Sequence, residues 1–206
     1  MRLLLLSDLH ARFLPPENRV EQNFFEEVVM NKLEQVLKLA RTYEVDAIIQ
    51  GGDFFDTYDV SRYVMARMIQ LFRQYGVPIY TVLGQHDLAY RNMDGVNRTA
   101  TYLLQSAGVL EIVGLSQKSV HLAPAGKMVD EAGSPEDQAV FLSGISFEQP
   151  YNPDPVPGAF NILVAHASVG DTPLYPGHQL TAVRSYVKQH KGFDLMVLGD
   201  IHYEYA

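Results

Sequence analysis

Cysteine is absent from the 206 residues, and that absence removes disulfides, thiolate zinc sites and cysteine nucleophiles together. Any metal must then be held by oxygen and imidazole, which points to harder divalent ions. Long apolar runs are also missing. The opening Met1 to Asp8 carries only four leucines, Leu3 to Leu6, before an acid, too short for a signal peptide and far too short for a membrane span. A cytoplasmic protein with no membrane partner is the expectation. Positive charge is scarce as well: 16 Lys and Arg against 24 Asp and Glu give a net charge of -8. This argues against a general electrostatic grip on nucleic acid, which rests on cations neutralising phosphates. It leaves DNA open as a substrate, because acids gathered around bound cations add negative formal charge while the ions reverse the local field.

With 47% hydrophobic residues, the chain is long enough to bury one core as a single domain over 1–206. Its pattern alternates strand and helix. Arg2 to Leu6 reads as a buried strand, Asn23 to Tyr43 as a helix, Ala47 to Gln50 as a strand and Val60 to Tyr75 as a helix ended by Gly76. Val77 to Leu83 follows as strand and Asn97 to Ala107 as helix, with the short connections of βαβ units. Beyond Leu110 to Val113 the character changes. Gln117 to Leu122 and Gln138 to Ile145 read as strands around a polar loop, Gly126 to Asp137, with no helix between them, so this half is expected to be partly antiparallel. Tyr151 to Gly158 is proline-rich and reads as an irregular surface loop. Phe160 to Ala165 as strand, Gln179 to His190 as helix and Asp194 to Leu198 as strand complete the chain.

The chemistry collects where these strands end. Gly84-Gln85-His86-Asp87 leaves the third strand through a tight turn that gathers an amide, an imidazole and a carboxylate. Asp8 and His10 follow the first strand, two residues apart and so on one side of an extended segment. Gly51-Gly52-Asp53-Phe54-Phe55-Asp56 follows the second, His166 the strand at 162–165, and Gly199-Asp200-Ile201-His202 the last. Singly, each has an ordinary structural reading: Asp8 capping a turn, Asp56 as a helix N-cap, a histidine satisfied in the core. Five strand ends of one α/β protein carrying such groups is a different matter, since open α/β sheets bind ligands there.

In order, Asp-x-His, Gly-Asp-x-x-Asp, Gly-x-His-Asp, a later His and Gly-x-x-His resemble the calcineurin-like metallophosphoesterase superfamily, over nearly the whole chain from Asp8 to His202. The resemblance implies a four-layer α/β/β/α fold, a central β-sandwich of mixed sheets flanked by helices. It implies two adjacent divalent ions: Asp8, His10 and His202 on the first, Asp53 bridging, and Gln85, His166 and Asp200 on the second. His86 would stand beside the scissile phosphate with Asp87 orienting its ring. Mixed imidazole and carboxylate ligands suit Mn²⁺ best, Fe or Zn²⁺ next and Mg²⁺ less. Within the superfamily, Gly52-Asp53-Phe54-Phe55-Asp56-Thr57 before a Ser-containing helix start resembles the nuclease subunits SbcD and Mre11. That implies a DNA exonuclease or endonuclease of repair or recombination, an ATPase partner of the SbcC/Rad50 kind and pairing into a homodimer.

Three features depart from the pattern. Gln85 stands where the family usually has Asn, and Asp200 where it has His, which favours a harder ion at the second site. The chain stops at Ala206 directly after the last motif, where the nucleases continue, so the domain reads as truncated there. These departures keep two alternatives alive, a phosphatase or small-molecule phosphodiesterase of the superfamily and a catalytically degraded scaffold. His121, His178 and His190 read as surface or loop histidines, and the twelve tyrosines as core and interface packing. Arg12, Arg19, Arg91 and Arg98 fall on loops near the site.

Overall fold

A computed structural model describes residues 1–13, 22–123, 139–173 and 176–201, with side chains described from residue 25 onward in the second stretch. The polar loop at 126–137, Arg19, His202 and the tail at 203–206 lie outside the described residues.

Among the described residues, eight strands form two four-stranded sheets. The first holds β1 (Leu3–Leu6), β2 (Ala47–Gln50), β3 (Ile79–Thr81) and β4 (Glu111–Ile112), in that order and all parallel. Parallel strands require crossovers, and α1 (Gln22–Thr42), α2 (Arg62–Tyr75) and α3 (Ala100–Ser106) supply them. The second sheet holds β5 (Val120–Leu122), β6 (Val140–Ile145), β7 (Phe160–His166) and β8 (Leu195–Gly199). Here β5 runs antiparallel to β6, while β6, β7 and β8 are parallel. The mixed character expected of this half is present.

Side-chain alternation assigns the layers. Ile48 packs on the helical side of the first sheet and Ile49 on the opposite side. There Ile49, Val82 and Val113 meet Leu142, Ile162, Val164 and Val197 of the second sheet. Leu163 points the other way, onto Tyr186 of α4 (Val183–Gln189). The result is helices, sheet, sheet, helix, the four layers expected. Each fully buried Leu or Ile in such a layer contributes on the order of 1.5–3 kcal/mol.

Several boundaries differ from the sequence reading for local reasons. β1 is an edge strand rather than a buried one, and Leu5 is 43% exposed. Ser61 caps α2, its Oγ accepting from Val64 N, so the helix begins at Arg62; Gly76 ends it in the left-handed conformation with its N–H on the Phe72 carbonyl. Thr99 caps α3 by accepting from Tyr102 N at 3.2 Å, and residues 93–98 before it form a 3₁₀ turn. The fourth helix starts at Val183 because Thr181 is taken into a bridge with Val169. The 151–158 loop is irregular, yet Asn161 pins it through the Val156 N–H and carbonyl, 2.8 and 2.9 Å. His190 is 4% exposed and packs on the Tyr186 ring, so it is a core histidine rather than a surface one.

Candidate metal centre

The loops after β1 and β2 are laced together by backbone bonds: Asp8 N to Gly52 O, His10 N to Asp53 O and Ala11 N to Phe54 O, 3.2, 3.0 and 2.9 Å. The segment after β1 is not extended. Asp8 and His10 have positive φ, 49° and 41°, as do Asp53 at 50° and Asp200 at 96°. Non-glycine residues in that region are uncommon and strained, and such strain gathers at functional sites. Four of the expected ligands share it.

Asp53 lies at the centre. Its side chain is 1% exposed; Oδ1 accepts from His86 N at 2.8 Å. Among the described residues its Oδ2 is buried without a hydrogen-bond partner, 3.7 Å from His10 Nε2 and 3.5 Å from His166 Nε2. A buried anionic oxygen left so is expensive unless a cation meets it. Two groups have ligand atoms within 4.8 Å of one another, His10 with Asp53 and His86, and Asp8 with Asp53 and His166; Asp53 belongs to both. Asp8 thus falls in a group with His166 rather than with His10. His86 falls in a potential ligand group as well as beside one.

The second half of the centre shows its need for positive charge in its hydrogen bonds. His166 Nδ1 lies 2.8 Å from the Gly51 carbonyl, which can only accept, so Nδ1 carries the proton. Nε2 of the neutral ring is then an acceptor, yet it stands 2.7 Å from Gln85 Oε1, another acceptor. Gln85 Nε2 meanwhile donates to Asp200 Oδ1 at 2.9 Å. Turning the amide over only moves the conflict to Asp200. A cation at this point, or a second proton on His166, resolves it. Asp200 is further held by Ser168 Oγ on Oδ2, and its N–H donates to Asp8 Oδ1 at 3.0 Å. Gln85 and Asp200, the two departures from the pattern, are therefore joined to each other and to His166.

Two glycines make these approaches available. A Cβ on Gly84 would collide with Asp53 Oδ1 and come within 2.5 Å of Asp53 N; this glycine is there for room rather than for a turn. A Cβ on Gly52, whose φ is +95°, would lie 2.7 Å from His166 Cγ.

Asp87 does not orient the His86 ring. Its carboxylate is fully buried and accepts from Phe54 N, Phe55 N, Gly84 N and Thr101 Oγ1 at 3.0–3.1 Å. It ties the loop after β3 to the loop after β2. Burial pushes its pKa up to about 6, against the lowering pull of the three backbone N–H groups. The group on the His86 imidazole is the Asp56 carbonyl, 3.0 Å from Nδ1. That makes Asp56 a positioning residue through its backbone rather than a helix cap, while its carboxylate lies 3.7 Å from Arg12 Nε. Gln50 was passed over in the sequence as the polar end of a strand. It is fully buried, and its Oε1 accepts from Gly52 N at 2.9 Å and from Thr81 Oγ1, fixing the glycine turn that carries Asp53. The one sequence signal was an amide among apolar strand residues.

Parallel strands thus deliver carboxylates and imidazoles to one point, a donor set suited to a divalent ion. A model of the calcineurin-like phosphoesterase family matches residues 1–204, and the chain belongs to that family. The family implies divalent metal binding, and the donor set fits it. Among relatives, the double-strand break repair protein mre-11 of Caenorhabditis elegans is 28% identical over 150 residues, 55% of this chain and 19% of that protein. The double-strand break repair protein MRE11 of Encephalitozoon cuniculi is 24% identical over 139 residues, 55% of this chain and 23% of that one. The matched region thus spans about a fifth of each relative. A crystal structure of TT1561 from Thermus thermophilus covers 95% of this chain and 80% of its own at 12% identity and TM-score 0.49, a likeness too loose to add to the topology read from the strands. Among the described residues no helix is long and apolar enough to cross a membrane.

Proposed function

We propose that this chain is a dinuclear metal-dependent phosphodiesterase acting on DNA, a nuclease; relatives named for double-strand break repair support the choice of DNA. The observation that carries the two-ion reading is Asp53 Oδ2, buried without a hydrogen-bond partner among the described residues and shared by two groups of donors. His10 and Asp53 would serve one ion, with His86 beside it rather than bound to it, and Asp8, Asp53 and His166 the other, with Gln85 and Asp200 beside the second; His202, outside the described residues, is assigned to the first ion only by the family resemblance. Mn²⁺ suits this donor set, Fe or Zn²⁺ come next and Mg²⁺ follows. Bound there, such ions supply positive charge to phosphate oxygens and acidify water.

The chain's own residues do the rest. Nδ1 of His86 donates to the Asp56 carbonyl, which fixes the tautomer and leaves Nε2 as the atom that handles a proton. In the imidazolium form Nε2 gives that proton to a leaving oxygen. Asp87 and Gln50 keep the two glycine loops in register so that Asp53 and His86 meet. Repair of DNA, an ATPase partner and self-association belong to the same proposal.

The test is the Mn²⁺-dependent rate on bis-p-nitrophenyl phosphate against p-nitrophenyl phosphate, with His86→Ala as control. Diester preference that the His86 variant loses supports the reading. Monoester preference turns it into a phosphatase, and no metal-dependent turnover of either leaves a scaffold.

A further inference from the structure

Tyr90 does not pack in the core: it is 93% exposed. It stands four residues beyond His86, on a segment whose backbone is unusual. Tyr90 has φ 56° and ψ 23°, and Arg91 after it has φ 56°. Left-handed backbone is rare for bulky residues, and two in succession are rarer. The segment is nevertheless held at both ends. Leu88 and Ala89 are buried, 2% and 8% exposed, and Asn92 Oδ1 accepts from Asp94 N at 2.8 Å. The fold holds a strained turn whose result is an aromatic ring presented to solvent.

A second ring meets it from the neighbouring site loop. Tyr58 lies two residues beyond Asp56, the residue whose carbonyl holds His86, and its own carbonyl accepts from Ala100 N at 2.8 Å. The Tyr58 and Tyr90 ring centroids are 6.5 Å apart with planes inclined at 37°. The two loops that meet at His86 therefore also carry an aromatic pair, with the exposed Arg91 beside it. Burial does not explain a ring 93% exposed.

We propose that Tyr58 and Tyr90 form a stacking platform for an unstacked nucleobase next to the scissile phosphate, so that the substrate is a single-stranded or frayed end of nucleic acid rather than a closed duplex. The proposal deepens the phosphodiesterase reading and rests on it for the position of the phosphate. With 16 cationic and 24 acidic side chains, the chain has little of the sequence-independent phosphate attraction that most nucleic-acid proteins use, so stacking must supply more of the grip.

The experiment compares binding, by fluorescence anisotropy, of a labelled thymidine 12-mer and an abasic 12-mer with the same phosphates. Ca²⁺ replaces Mn²⁺, and a gel checks that the oligonucleotides stay intact. The wild-type chain is expected to favour the thymidine strand by about tenfold, the scale of one stacked base. Tyr90→Ala and Tyr58→Ala should each reduce that preference without weakening the abasic strand, and Tyr90→Phe should retain it. Equal affinity for the two strands, no binding of either, or a preference that survives the double alanine variant overturns the platform. Turnover of bis-p-nitrophenyl phosphate, measured on the same preparations, reads the phosphodiesterase chemistry separately. Turnover without base preference sinks the platform alone; base preference without turnover sinks the phosphodiesterase reading and leaves a nucleic-acid-binding surface.

Discussion

Asp53 and His166 approach within 3.5 Å from opposite sheets, yet the backbone that brings them together is built differently on the two sides. On the first sheet the loops after β1, β2 and β3 are tied to one another before any ligand is counted. Backbone bonds join the first two, Gln50 fixes the glycine turn, and Asp87 clamps three N–H groups from two loops. On the second sheet His166 is still part of β7 and Asp200 directly follows β8. Their side chains reach across to the first sheet's loops, His166 to the Gly51 carbonyl and both to the Gln85 amide, while Ser168 holds the other Asp200 oxygen. The first sheet supplies a preformed frame; the second supplies candidate ligands, whose arrangement a bound cation would complete. Changes to the frame should disturb folding, and changes on the second side should disturb metal choice.

Asp53→Asn, which removes the charge where the two sides meet, is expected to have the largest functional effect. Turnover should fall by more than about 100-fold, beyond what the loss of a ligand's hydrogen-bond partner causes. The melting-temperature rise that Mn²⁺ gives the wild type should vanish, since only a ligand bound to the folded state stabilises it. A variant that keeps the Mn²⁺-induced rise would show that Asp53 is not the shared ligand.

Gly84→Ala tests the frame itself. The new Cβ would collide with Asp53 Oδ1 and Asp53 N, and backbone cannot give way as a side chain tip does. A loss of about 3 kcal/mol in urea unfolding is expected, the upper end for overpacking. Ser168→Ala, on the second side, removes one hydroxyl from Asp200 and should cost about 1 kcal/mol. Similar losses for the two would erase the distinction between frame and ligand side.

Asp87→Asn adds a pH signature. Burial raises the folded carboxyl from 3.8 to about 6, so folding favours its protonated form. Its contribution to stability is full below about pH 4 and is lost as pH rises through about 6. The wild type's advantage over the variant should therefore be greatest near pH 4 and shrink by roughly 3 kcal/mol toward pH 7. Parallel stability curves for the two proteins would mean that Asp87 is ionised throughout.

How far the sequence reveals this follows the same division. Apolar runs mark nearly every strand, and the groups after them mark the site, because burial and strand-end position leave a trace in residue order. Tertiary competition leaves none: Thr181 reads as helix until Val169 takes it into a bridge. The role of Asp87 is invisible for a related reason. Adjacency to His86 suggests that it turns the imidazole, while its actual partners, Phe54, Phe55 and Thr101, are 33, 32 and 14 residues away. Gln50 is hidden likewise, since only the fold reveals that a strand-end amide faces the Gly52 turn. Which tyrosines reach the surface is hidden as well, since composition counts aromatic rings without their exposure, and Tyr90 is 93% exposed.

The departure at Asp200 gives the smallest and most selective prediction. Asp200→His replaces a charged oxygen with a neutral nitrogen on the side that the frame does not hold. Histidine is among the residues that tolerate positive φ, so the strained backbone at 96° does not by itself forbid the change, and stability should move by less than about 1 kcal/mol. What should move is metal preference: imidazole favours Zn²⁺ over harder ions, and the ratio of Zn²⁺-supported to Mn²⁺-supported diester hydrolysis is expected to rise a few-fold. The same substitution also removes the acceptor of the Gln85 amide, freeing it to turn and donate to His166 Nε2 when no metal is present. An unchanged metal ratio would mean that Asp200 serves the site only by orienting Gln85, and Gln85→Asn, which shortens that amide, would then reproduce whatever the histidine variant did.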